Sequence, residues 1–218
     1  MITHGHDIET FPDHARTIVF EAYDSGAARR IDFFVVDRIV GRQYQTEDGE
    51  LESLIHIRDE QLHGPWYEFR DGALSFITRY EEGLEHGVAI QYAPDGEVIG
   101  RYEMEHGTGV DLWYDFDTGQ LAEEREMRDG ERHGIERWWD EFDGGTIWKE
   151  SHFKEGARHG IFREWDDGAL GEGYPTFYID GEQVERSDYI ELTAERDDCP
   201  TYESGEDAPT RELLPATR

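Results

Sequence analysis

Between residues 64 and 165, apolar side chains fall at alternate positions in short runs, and each run opens on a glycine. The glycines are Gly64, Gly87, Gly109, Gly134 and Gly160, four of them preceded by histidine, and they are spaced 23, 22, 25 and 26 residues apart. One residue beyond each glycine stand Pro65, Val88, Val110, Ile135 and Ile161. Three beyond stand Tyr67, Ile90, Leu112, Arg137 and Arg163, and five beyond stand Phe69, Tyr92, Tyr114, Trp139 and Trp165. Alternation of this kind predicts a β-strand with one buried face, because successive side chains point to opposite sides of the strand. Arg137 and Arg163 break the apolar rule, and their aliphatic stems are expected to cover aromatic surface.

A turn follows each run, at Asp71-Gly72, Asp95-Gly96, Thr118-Gly119, Gly144-Gly145 and Asp167-Gly168. Asp-Gly between alternating runs signals a hairpin, since glycine tolerates the positive φ of primed turns. The returning strands carry apolar pairs six residues apart, Leu74/Tyr80, Val98/Met104, Leu121/Met127 and Ile147/Phe153, so both members share a face. The unit is thus a β-hairpin, and Gly64, Gly87, Gly109, Gly134 and Gly160 are its structural turn glycines. Repetition at this period marks a repeat protein. The predicted fold is all-β, with tandem hairpins forming an elongated antiparallel meander ribbon.

Weaker copies run backwards through Gly41 with Asp48-Gly49, and through Ile18–Tyr23 with Asp24-Ser25-Gly26. The chain therefore divides into a lead segment (1–16), a hairpin array (17–186), a short capping helix (187–196) and an acidic tail (197–218). Ser187-Asp188 offers an N-cap for a helix that presents Tyr189, Ile190, Thr193 and Ala194 and covers the edge of the last strand. From Asp197 onward, proline, acidic and small residues predict disorder.

The pattern of His-Gly, alternating aromatics, Asp-Gly, a six-step apolar pair and a second Gly-x-x-His-Gly resembles the bacterial variant of the MORN repeat. The chain is similar to YwqK-like proteins over roughly residues 17–186, best between Gly64 and Trp165. The resemblance implies a hairpin ribbon and a role as an antitoxin or immunity protein that neutralises a partnered toxin. It brings no catalytic residues.

Charge sharpens the expectation about partners. Against 52 acidic residues stand 21 basic ones, a formal net charge of −31, and only Lys149 and Lys154 are lysines. Such a surface repels nucleic-acid phosphates and anionic lipid headgroups and attracts basic partners. Salt adaptation would also produce this acidity. No run approaches a membrane span, and the amino terminus has neither a basic nor an apolar leader region, so a cytoplasmic protein is expected.

Chemistry-bearing motifs are sparse. No G-x-S-x-G, phosphate-binding glycine loop or H-E-x-x-H is present. Cys199, the single cysteine, falls in the predicted tail with no general base in view. Equivalent histidines of successive hairpins (His63, His86, His133, His159) lie two strands apart, about 10 Å, too far to share an ion. They are expected to pack beside turns or to bond the next repeat. His4, His6, Asp7 and His14 have spacing suited only to adventitious metal. No metal, no cofactor and no enzymatic activity are expected. The second strand face holds Trp66, Glu68, Asp111, Trp113, Glu136, Trp138, Phe162 and Glu164, aromatics interleaved with carboxylates. That mixture suits recognition of a basic protein, the rings giving buried contact and the acids steering. Rings packing against cross-strand neighbours would give the same pattern. The leading expectation is a non-catalytic protein-binding module that occludes a basic toxin, with a structural scaffold as the alternative.

Overall fold

A computed structural model describes residues 5, 7–140, 145–203, 205 and 207–209. His4, His6, Gly144 and residues 210–218 of the predicted tail lie outside the described residues. The chain is nearly all β, with antiparallel strands in meander order and one short C-terminal helix. It divides into two compact units, Met1–His106 and Gly107–Arg218.

The first unit contains β1 (Arg16–Ala22), β2 (Ala28–Val35), β3 (Arg38–Gln45), β4 (Leu51–Arg58), β5 (Gln61–Arg70), β6 (Ala73–Glu81), β7 (Leu84–Glu85), β8 (Gly87–Tyr92) and β9 (Val98–Glu105). The second contains β10 (Thr108–Tyr114), β11 (Leu121–Arg128), β12 (Glu131–Trp139), β13 (Ile147–Lys154), β14 (Ala157–Arg158), β15 (Gly160–Asp166), β16 (Ala169–Leu170), β17 (Thr176–Ile179), β18 (Glu182–Val184) and the helix α1 (Arg186–Thr193). Within each unit successive strands pair antiparallel, the two-residue strands β7 and β14 being the entry turns of β8 and β15.

The hairpin period follows from two turn types. The tight ones, such as Asp71-Gly72, Asp129-Gly130 and Asp167-Gly168, have positive φ at both central residues, the I′ geometry that matches strand twist. The wider ones, at Asp24-Ser25-Gly26, Asp48-Gly49 and Asp95-Gly96, close through a single left-handed glycine. The recurring glycine lies opposite the six-step residue of the next strand: Gly64 faces Tyr80, Gly87 faces Met104, Gly109 faces Met127 and Gly134 faces Phe153. At Gly160, φ is +122° and an added Cβ would lie 2.7 Å from His152 Cβ. Only glycine fits that approach.

The odd-position face carries the apolar core clusters in both units. In the first, Leu54, Tyr67, Phe69, Leu74, Ile77 and Tyr92 form the core, with Ile8 and Phe11 of the lead segment packed on it. In the second, Ile161, Phe177, Tyr189 and Cys199 cluster, and Trp139, Ile147 and Trp165 form a further group. Terminal segments thus cover the apolar face of each unit. The helix was expected on a strand edge. It sits on the face instead, because Tyr189 is its one buried side chain and stacks on Phe177 at 5.0 Å. Ile190 stays exposed, and Glu185 rather than Ser187 or Asp188 occupies the N-cap.

Individual residues of the predicted tail have partners in the second unit. Cys199 is 6% exposed, and Asp207 accepts from Arg163 Nε at 3.0 Å, while its carbonyl accepts from Trp165 Nε1 at 2.6 Å. Composition pointed to disorder, but Cys199, Tyr202 and Asp207 each pack on or bond to the second unit.

One local test follows from the lead segment. A Cβ at Gly41 would lie 1.8 Å from the Phe11 ring, which packs on Phe33 at 4.3 Å and His56 at 4.9 Å. Gly41→Ala should expel Phe11, cost about 1–2 kcal/mol, and raise hydrogen exchange at residues 7–15. Phe11→Ala should cost as much, and the double variant no more than either alone.

Candidate functional site

The second strand face is built from charged and aromatic side chains in cross-strand register. In the second unit Asp111 lies opposite Arg125, Arg125 opposite Glu136, and Glu136 opposite Ser151. None of the eight residues singled out from the sequence is fully exposed. Asp111, Glu136 and Phe162 are buried, and Trp66, Glu68, Trp113, Trp138 and Glu164 are half-buried. Their partners are neighbours on the same face. Arg125 reaches Asp111 at 3.7 Å and Glu123 at 2.7 Å, Arg132 reaches Glu136 at 3.3 Å, and Trp138 Nε1 donates to Glu136 at 3.2 Å. Trp66 packs 5.8 Å from Tyr80. Burial pushes the Glu68 carboxyl above the usual range. Glu123 is raised by the same cause, against the pull of Arg125.

Three of the eight, Glu136, Phe162 and Glu164, line a cleft of ≈ 160 Å³. Its other walls include Arg132, Arg158 and Ser151. Arg132 lies 4.1 Å over the Phe153 ring, and Arg158 sits over Tyr178 while donating to its hydroxyl at 3.0 Å. Ser151 is 1% exposed and its hydroxyl finds no partner among the described residues. The cleft is therefore mixed in charge. The sequence reading missed its cations because they come from the tight-turn flanks and returning strands, outside the positions counted from the glycine.

The buried face carries a second polar array. Arg137 and Arg163 were expected to lay their stems over aromatics. They are ion-paired instead: Glu124–Arg137 at 3.1 Å, Arg137–Glu150 at 2.9 Å, Glu150–Arg163 at 3.0 Å and Arg163–Asp207 at 3.0 Å. Cross-strand register forces this, since Glu124, Arg137, Glu150 and Arg163 lie directly opposite one another in β11, β12, β13 and β15. Burial opposes the charge on Glu150, yet the Arg137 and Arg163 guanidiniums bring its carboxyl below the usual range.

The repeated histidines act as turn caps, as expected. His86 Nδ1 accepts the His106 N–H at 3.3 Å, His133 Nδ1 accepts that of Glu155 at 3.5 Å, and His159 Nδ1 accepts that of Asp180 at 3.0 Å. Thr108 replaces histidine in one copy, and its hydroxyl accepts the Asp129 N–H at 3.1 Å. His63 is the exception, its buried Nδ1 finding no partner among the described residues. Backbone bonds stack the same turns, with Gly130, Gly156 and Gly181 donating to the carbonyls of Gly107, Arg132 and Arg158. The turn residues so pinned, Asp129, Glu155 and Asp180, are acidic, exposed and left-handed, with φ of 51°, 49° and 49°. They make a row of carboxylates along one edge, about 10 Å apart at roughly 4.8 Å per strand.

Cys199 does have a base beside it. His159 Nε2 lies 3.0 Å from its Sγ. Because His159 Nδ1 accepts the Asp180 N–H, the ring proton sits on Nε2 and is donated to sulfur. Burial pushes the thiol up and the imidazole down, so both stay neutral and the pair is a packing latch for the C-terminal segment.

No family model matches the chain, and no curated protein matches it. Among the described residues no helix is long and apolar enough to cross a membrane.

Proposed function

We propose that this chain is a non-catalytic protein-binding repeat module, of the antitoxin or immunity kind implied by its resemblance to YwqK-like proteins. It acts by laying an acidic edge against a basic partner, whose positively charged cleft it occludes. The row of exposed carboxylates at Asp129, Glu155 and Asp180 carries this reading. The array holds those charges in place before a partner arrives, so little ordering entropy is lost on binding. A net charge of −31 adds long-range attraction for a cationic surface. The half-buried Trp113 and Trp138 rings, and the mixed cleft lined by Glu136, Phe162 and Glu164, supply short-range contact.

Affinity capture from native lysate should recover one stoichiometric basic protein, released by raised salt. Asp129→Asn with Glu155→Gln should reduce the association rate about tenfold in dilute buffer and leave the fold intact. Trp113→Ala with Trp138→Ala should speed dissociation instead. Recovery of this chain alone, in concentration-dependent assemblies insensitive to these substitutions, would favour the scaffold.

A further inference from the structure

We infer that Glu81, His86 and His106 form a site for a divalent transition-metal ion, with zinc the best fit. Glu81 closes β6, His86 follows β7, and His106 is the left-handed turn residue after β9, at φ 49°. Folding brings them together because the turn cap packs the His106 ring against that of His86, with centroids 4.3 Å apart and planes inclined at 59°. Both imidazoles then present Nε2 to one carboxylate oxygen: His86 at 3.7 Å from Glu81 Oε2, and His106 at 3.6 Å. One ligand atom from each residue lies within 4.8 Å of the other two.

That spacing suits an ion. Four ligands at roughly 2.0–2.1 Å from zinc stand about 3.4 Å apart, so the two His–Glu81 distances need to contract by only a few tenths of an ångström, while a side-chain rotation brings the two imidazole nitrogens, already within 4.8 Å, to the same spacing. Two imidazoles and one carboxylate select a borderline transition ion over calcium or magnesium. The side chains are partly exposed, so an ion can enter and a fourth position stays open to water. Ligation through His86 Nε2 moves the ring proton to Nδ1 and gives up the long bond from the His106 N–H, one weak contact exchanged for a metal–nitrogen bond. Equivalent histidines of successive hairpins lie too far apart to share an ion, but His106 is not equivalent to His86, since it occupies the tight turn where other copies carry Glu82, Asp129 or Glu155.

The other cluster, His159, Asp198 and Cys199, is already satisfied: Lys154 and Arg196 hold Asp198 at 2.5 Å and 2.8 Å, and the His159 proton faces sulfur.

The test is calorimetric titration of the full chain with zinc chloride, with melting followed in parallel. One equivalent should bind, and the melting temperature should climb with zinc. His106→Asn, which tolerates the left-handed turn, and Glu81→Gln should each weaken binding at least tenfold while circular dichroism is unchanged. A chain with His4, His6 and His14 replaced by alanine should bind as before. Loss of zinc binding in that last variant, or full binding in His106→Asn, would overturn the site.

Discussion

Replacing Arg137 with leucine should remove about 3–5 kcal/mol of stability, a large share of the roughly 5–15 kcal/mol that holds a domain of ordinary size. The guanidinium lies between Glu124, which is 0% exposed, and Glu150. Removing it takes the paired guanidinium from a carboxylate with no access to water, and that desolvation cost is the dominant loss. Glu150 keeps Arg163, so the damage concentrates on Glu124. Glu124→Leu combined with Arg137→Leu should therefore be more stable than Arg137→Leu alone, recovering at least half of the loss, because the pair is replaced by apolar volume with no charge left over. Urea midpoints at constant m-value would measure both. A single-variant cost below about 1 kcal/mol would mean that water reaches Glu124 and that the ladder is not a buried one.

The contrast between Arg137 and its neighbours shows what the chain discloses. Pro65, Tyr67, Phe69, Ile161 and Trp165 are buried where alternation put them, because burial on a strand depends on parity, and parity is readable from spacing. The turns are readable too, since positive φ narrows the choice to a few residue types. The ion-pair ladder needs cross-strand register, which fixes which Glu meets which Arg only once the hairpins are aligned. The same holds for His106: its sequence neighbours reveal a turn, while its packing against His86 depends on the length of the intervening hairpin. The lead and tail segments were the least legible. Phe11 and Cys199 are single residues outside any period, and their burial reflects docking onto a face that the repeats leave uncovered. The candidate binding face lies between these cases. Its residues were identified, but alternation cannot distinguish a ring packed on its neighbour from one offered to a partner.

Acidification from pH 7 to pH 5 should destabilise the chain steeply. His56, His152 and His159 are each held below the ordinary imidazole range, burial being the leading cause in every case. His152 also donates Nδ1–H to the Ile161 carbonyl at 2.6 Å, and His56 does so to Pro65 at 2.8 Å, so each ring is fixed as one neutral tautomer. A depressed imidazole means that the unfolded chain takes up the proton first. Below about pH 6.5 the unfolded state binds more protons than the native one, and stability falls by up to about 1.4 kcal/mol per pH unit for each ring. The loss is absent above pH 7, grows as pH falls through the unfolded value, and levels off once the folded rings protonate. Glu68 and Glu123 act with the opposite sign, since their raised carboxyls favour the native state on protonation, so they subtract from the slope set by the three rings. Urea unfolding at half-unit steps, in about 0.5 M salt to screen the net charge, should give a positive slope of stability against pH. His152→Gln, although less stable at pH 7, should show a shallower slope by up to one proton. A flat profile between pH 7 and 5 would mean that these rings are open to water, and the packing assigned to the second unit would have to be redrawn.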